Sequence, residues 1–429
     1  MGSVKARLSL MMFLEFFIWG AWLPLIFGYV DRLGFSPGQQ FMVTSAFAFG
    51  AITAMFFSTQ FADRKFAAEK FLAVSHVIGG IAILGLYWVR DFHPFLRCML
   101  IHSLFYVPTI SITNGIAFAS LKDAQKDFGR VRLWGTIGWI AASVPFVFLL
   151  ADWSKVPALS EVGFVEWLGS ALGTSKTGEE LMAGTRYTFV AAGVASLVLA
   201  VVALGLPHTP PKPATSARNK LAWLESMALL RHPFVLVLFI VTFFDAAVHN
   251  SYFWFASEYL QSVGIPANWV MPVMSIGQIA EIATMALLGG VLAKLGWRTT
   301  MTIGVLGHAV RFGTFALLPA PAPAIVVNVV HGICYAFFFA TVYIFVDERF
   351  PKDARSSAQG LFNMLILGVG PLVANYACPW LKAYFTADGT VDYSRLMLVP
   401  SGVALAAAVF LFLFFRPPQQ TGTPARAAP

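Results

Sequence analysis

Apolar runs long enough to cross a membrane recur along the whole chain, separated by short polar and basic intervals. A spanning helix needs about 20 mostly apolar residues. In the first half that length is met by Leu8–Val30, Gln40–Ala62, Phe71–Val89, Leu96–Ala119, Arg132–Ala151 and Tyr187–Leu206. In the second half it is met by Pro233–Leu260, Trp269–Ala293, Thr299–Leu318, Ala324–Val346, Ser357–Cys378 and Leu396–Phe415. Composition agrees with this pattern. Of 429 residues, 58% are hydrophobic and 12% are charged, whereas soluble domains carry about 25% charged residues. Such an alphabet cannot clothe a surface in water, and it excludes the disordered, collagen-like and disulfide-scaffold classes. The pattern predicts an all-α membrane protein of twelve transmembrane helices.

The net charge of +8 is read through membrane topology rather than as a nucleic-acid footprint, because basic residues gather in cytoplasmic loops. With the N-terminus inside, twenty of the 29 Lys and Arg fall on the cytoplasmic side and eight on the other, so both termini are expected in the cytoplasm. No cleavable signal peptide is expected, because the first apolar run is full length and lacks a small-residue cleavage pattern. Cys98, Cys334 and Cys378 show no metal spacing and read as small core residues. Pro207–His232 is basic and proline-rich at its start, as a linker should be. Within it, Leu221–Leu230 could form a surface amphipathic helix. The expected organisation is an N-terminal six-helix bundle (1–206), a cytoplasmic linker (207–232), a C-terminal six-helix bundle (233–415) and a disordered tail (416–429). The external loop Asp152–Thr185 has room for a short helix but carries no readable motif.

A repeat at an offset near 230 supports two halves. FADRKFAAEK follows span 2 and LAKLGWR follows span 8, while Arg130 and Gly135 before span 5 share the spacing of Arg355 and Gly360 before span 11. Two parallel six-helix halves with a midplane site between them make up the major facilitator architecture. The competing reading is that short basic loops recur in any polytopic protein.

Charges within spans are costly and normally face a partner or a wet cavity. Glu15 (span 1), Asp245 (span 7), Glu281 (span 8) and Arg311 (span 9) are at membrane depth, as are His102, His249, His308 and His331. Gln278 and Glu281 share a helix face and suit hydroxyls or a base edge; the alternative is a structural bond, for example from Glu281 to Arg311. Glu15, Trp19 and Trp22 share another face, fitting either aromatic packing or a cavity wall. Arg132, Thr136, Trp139 and Ser143 form a partly polar stripe in span 5 that should look inward, although Arg132 could serve only as an orientation anchor. Asp245 and His249, with Asn250 and Phe253 beyond, lie one turn apart. They are either a structural pair or a water-shielded acid able to exchange protons. Trp139, Phe253 and Tyr335 could stack on a planar ring. Asp63 and Arg64 after span 2 are candidates for a gating latch or a simple orientation signal. No Walker A loop, HExxH, GxSxG or Rossmann glycine pattern occurs, so neither enzyme chemistry, ATP drive, cofactor nor metal is expected.

The runs MMFLEFFIWGAWLP (11–24), FYVPTISITNGIAFA (105–119), RLWGTIGWI (132–140), SIGQIAEI (275–282), HGICYAFFFATVYIFVDERFP (331–351) and ARSSAQGLF (354–362) resemble the nucleoside:proton symporter family of the major facilitator superfamily. The resemblance implies nucleoside uptake with protons in an inner membrane, with site positions at Arg132, Thr136, Trp139, Gln278 and Glu281. It departs in span 10, where Tyr335 is followed by Ala336 rather than an acid, and in span 7, where Asn250 and Phe253 are the nearest matches. Asp245 with His249 could supply the missing acid. The expectation is therefore a monomeric nucleoside importer using alternating access. A carrier of a sugar, drug or organic ion, or a membrane sensor that binds without transport, would use the same pocket.

Overall fold

The computed structural model describes residues 2–57, 66–211, 229–350 and 355–417. Asp63 and Arg64, the linker from Lys212 to Ala228 and the tail from Pro418 lie outside the described residues. The chain is almost wholly helical because backbone groups in hydrocarbon must be satisfied within the segment. The helices of the first half are α1 (Gly2–Arg32), α2 (Pro37–Thr44), α3 (Ala46–Phe57), α4 (Ala68–Gly85), α5 (Phe92–Ser120), α6 (Ala124–Leu149), α7 (Phe164–Gly173), α8 (Gly178–Thr185) and α9 (Tyr187–Leu204). The second half holds α10 (Pro233–Ser262), α11 (Val270–Leu317), α12 (Pro321–Arg349), α13 (Ala358–Tyr384) and α14 (Tyr393–Phe414).

Ten helices among the described residues are long and apolar enough to cross a membrane. One departure from the sequence pattern has a local cause. The stretch expected as span 2 is two helices that meet at Ser45, the first begun by a capping box of Ser36 and Gln39. The stretches expected as spans 8 and 9 are the two arms of α11, which are separate helices broken at Gly296. Its φ of 71° and ψ of 173° are not helical and suit a residue without Cβ, and this glycine sits in the short basic interval read as a loop. The external loop carries α7 and α8, where one short helix had been expected. At its start Lys155, 2.7 Å from Asp152, holds that carboxyl below the usual range.

Helices α1, α4, α5, α6 and α9 pack on one another, and α10 to α14 form a second group. The groups meet where α1 lies against α10, α6 against α11, and α2 and α3 against α13. Small residues set the closest approach, as is common where no hydrophobic force drives helices together. A Cβ on Gly138 of α6 would lie 2.1 Å from the Phe13 carbonyl oxygen, and one on Gly20 of α1 would lie 2.9 Å from that of Trp139. This reciprocal contact fixes the height of Trp139 and Arg132 on α6. Likewise, a Cβ on Gly332 would meet the backbone of Ala280 and Glu281 at 2.5 Å, which seats α12 against the segment that carries Glu281.

Candidate functional site

A cavity of about 410 Å³ lies between the two groups of helices, within the range of small-molecule sites. From the first group it is walled by Trp19, Phe47, Asn114, Arg132, Thr136 and Trp139; from the second by His249, Asn250, Phe253, Gln278, Glu281, His331, Tyr335 and Asn375, among others. All eight residues expected to meet a substrate therefore share one wall: Arg132, Thr136, Trp139, Asn250, Phe253, Gln278, Glu281 and Tyr335.

Arg132 and Glu281 come from opposite groups, and neither forms a hydrogen bond or ion pair with another side chain among the described residues. The Arg132 guanidinium instead lies 4.0 Å over the Phe16 ring, a cation–π contact. Thus the bond from Glu281 to Arg311 is not formed. The aromatic lining is ordered: Trp19 stacks on Phe47 at 4.8 Å and meets Trp139 edge-on at 5.4 Å. Trp139 in turn meets Phe253 across the cavity at 6.4 Å. Tyr335 opens a π-helical turn, Tyr335–Ala340, a distortion common at functional sites.

Four expected residues lie elsewhere. Glu15 is fully buried inside the first group of helices, off the cavity wall, with its Oε2 3.0 Å from His76 Nε2. His76 Nδ1 lies 2.8 Å from the Ser196 hydroxyl, which itself donates to the His76 carbonyl. Nδ1 must then be the donor, and one proton is shared between His76 Nε2 and Glu15. Trp22 packs beside His102 in the same interior, so Trp19 alone of that face reaches the wall. Ser143 is buried and donates to the Ile140 carbonyl, closing no part of the cavity. Asp245 is fully buried behind the wall, and its near neighbour is His308 Nε2 at 3.7 Å rather than His249.

Sequence reading passed over His331, Asn114 and Asn375 as site residues. Asn375 Oδ1 accepts from Asn250 Nδ2 at 3.0 Å and from Trp254 Nε1 at 2.7 Å, so it orients Asn250. The missing signal was available, because uncharged amides in spans are as conspicuous as charges once counted.

At one end of the cavity the halves are joined. Lys382 bridges Asp31 at 2.8 Å and Glu258, which also accepts from Tyr393. Arg32 donates to Gln261, and Asn268 and Trp269 donate to the Leu172 carbonyl. Phe27 packs on Trp254 below them. These side chains make polar contacts between the halves at this end.

The profile of the nucleoside H+ symporter family matches residues 1–172 and 157–420. This chain belongs to that family. It is 34% identical to the Escherichia coli K12 protein named "Putative nucleoside transporter YegT", over 96% of this chain and 94% of that one. It is 26% identical to the xanthosine permease of the same organism, over 96% of each chain. The crystal structure of the nucleoside transporter NupG superposes with a TM-score of 0.80 at 24% identity, covering 96% of this chain and 99% of that chain. A D-xylose–proton symporter superposes at 0.72 with 16% identity, covering 96% of this chain and 98% of that one. The fold is thus that of the major facilitator transporters, and the family is one of integral, multi-pass inner-membrane transporters rather than enzymes.

Proposed function

We propose that this protein imports nucleosides with protons across a bacterial inner membrane by alternating access, as a monomer of twelve crossings with both termini in the cytoplasm. The observation that carries this reading is the pair Arg132 and Glu281, one from each half, both unpartnered and facing one cavity. Two opposite charges that are half-buried on one cavity and bond no other side chain suit a polar, neutral molecule that can accept from one and donate to the other. A nucleoside does both. Its hydroxyls suit Glu281, Gln278 and Asn250; Arg132 and Thr136 reach it from the other half; its ring fits among Trp139, Phe253 and Tyr335.

The cavity is closed toward the Lys382 end, which we assign to the external side. With Ala336 in place of an acid in α12, coupling falls to buried groups elsewhere. Asp245 against His308 is the leading site, Glu281 lies in the wall itself, and Glu15 with His76 and the unpaired His249 are further candidates. The expected Asp63 and Arg64 latch remains part of the proposal. The test is uptake of labelled uridine and adenosine into proteoliposomes with and without an inward proton gradient. Accumulation driven by the gradient supports the reading. Binding without accumulation would favour a sensor, and indifference to nucleosides would favour another carrier.

A further inference from the structure

Behind the cavity wall, the second group of helices buries a chain of ionisable and hydrogen-bonding side chains from α10, α11 and α12. Arg311 is fully buried and has no carboxylate within ion-pair distance among the described residues. Its Nη1 lies 2.7 Å from His331 Nδ1 and its Nη2 3.1 Å from His308 Nδ1, while its guanidinium covers the Tyr252 ring at 4.0 Å. A guanidinium only donates. Both Nδ1 atoms must therefore accept, so both neutral imidazoles carry their proton on Nε2.

Two consequences follow from that one residue. His308 turns its Nε2–H toward Asp245 Oδ2, 3.7 Å away. His331 turns its Nε2–H toward the Gln278 amide, 3.4 Å away, in the cavity wall. An N–H there needs the amide oxygen, since two donors cannot bond. Amide oxygen and nitrogen are interchanged by a half-turn of the side chain, and the other amide atom of Gln278 is buried without any partner. With the oxygen committed to His331, the atom left seeking a partner is the NH₂ group.

We propose that Arg311 is a positioning residue for substrate selectivity. By fixing the His331 tautomer it leaves the NH₂ group of Gln278 as the amide atom without a partner, so the substrate atom held by that group is an acceptor, such as a hydroxyl, carbonyl or ring oxygen. This rests on the nucleoside reading for the identity of the substrate but not for the tautomer.

The tautomer is measured without substrate. Purified, ¹⁵N-histidine-labelled protein, with the His331 signals assigned by their loss in His331→Asn, should show Nδ1 unprotonated and Nε2 protonated. The charge-preserving Arg311→Lys, whose single ammonium lacks the fork that reaches both rings, should mix the two forms. A protonated Nδ1 at His331 in the wild type overturns the assignment.

The transport arm compares uridine competition in wild type, Gln278→Met and Gln278→Glu. Methionine removes the donor without adding charge, and glutamate can accept from His331 but has nothing to donate. Both should weaken uridine by about tenfold, the worth of one buried hydrogen bond, and Arg311→Lys should weaken it in the same direction. If Gln278→Glu binds as tightly as wild type, the substrate donates at this point and the polarity is wrong. A wild type that takes up no nucleoside refutes the substrate, and the spectrum still decides the tautomer.

Discussion

Lys382→Met tests the closed end of the cavity. The Lys382 ammonium is 2.8 Å from Asp31 and also bonds Glu258, with the lysine and Glu258 side chains only 14% and 13% exposed and Asp31 37% exposed. Removing one partner of a buried pair costs about 3–5 kcal/mol, and an exposed pair is worth about 0–1 kcal/mol. Partial burial places this bridge between those limits, at about 2 kcal/mol for its two bonds together. Only the bond to Asp31 in α1 crosses between the halves and is lost on opening, since Lys382 and Glu258 both belong to the second group, so about 1 kcal/mol of it biases the closed state. A 1 kcal/mol bias moves a two-state equilibrium by about fivefold. Spin labels on the exposed Trp88 and Tyr384 positions would report it by pulsed distance measurement. The longer-distance population should grow in Lys382→Met and stay unchanged in Arg395→Met, whose pair with Asp392 is exposed and lies within one half. An unchanged distribution in Lys382→Met would show that the bridge does not hold the end shut.

Other perturbations address separate parts of the structure. Gly138→Ala places a carbon 2.1 Å from the Phe13 carbonyl, more than 1 Å inside an ordinary contact of about 3.3 Å. Overpacking of that kind costs about 1–3 kcal/mol; the melting temperature in detergent should fall, and uridine uptake with it, and an unaltered protein would contradict the close approach. His76→Ala leaves the buried Glu15 carboxyl with only the Thr109 hydroxyl as a side-chain partner and should cost about 3–5 kcal/mol in thermal denaturation while leaving the affinity of the remaining folded protein for uridine unchanged; weakened affinity would put Glu15 back among the site residues. Asp245→Asn should abolish accumulation driven by a proton gradient but preserve exchange of internal for external nucleoside, and retained accumulation would remove Asp245 as the coupling acid.

The cavity was legible in the sequence because polar side chains in hydrocarbon have few places to go. Gln278, Glu281, Arg132 and Asn250 were each identified by that rule, and they share one wall. What the rule could not separate is a wet wall from a polar interior. Glu15 and Trp19 lie one turn apart, yet Trp19 faces the cavity and Glu15 faces His76, because the partner sits on α4, remote in sequence. Asp245 was expected beside His249 from spacing along one helix, and it meets His308 from another helix instead. Tertiary packing, not periodicity, decided both. The break at Gly296 was legible, since a glycine in a short basic interval between two apolar runs marks a turn, and its backbone is non-helical there.

Isothermal titration of uridine into purified wild type and single variants tests most directly whether both halves grip one molecule. Arg132→Ala from the first half and Glu281→Gln from the second should each weaken the dissociation constant by at least about tenfold, a charged hydrogen bond being worth about 1.5–3 kcal/mol. Ser143→Ala, on the same helix as Arg132 but off the wall, should leave it unchanged. Equal affinity in wild type, Arg132→Ala and Glu281→Gln would contradict a shared binding cavity between the two halves.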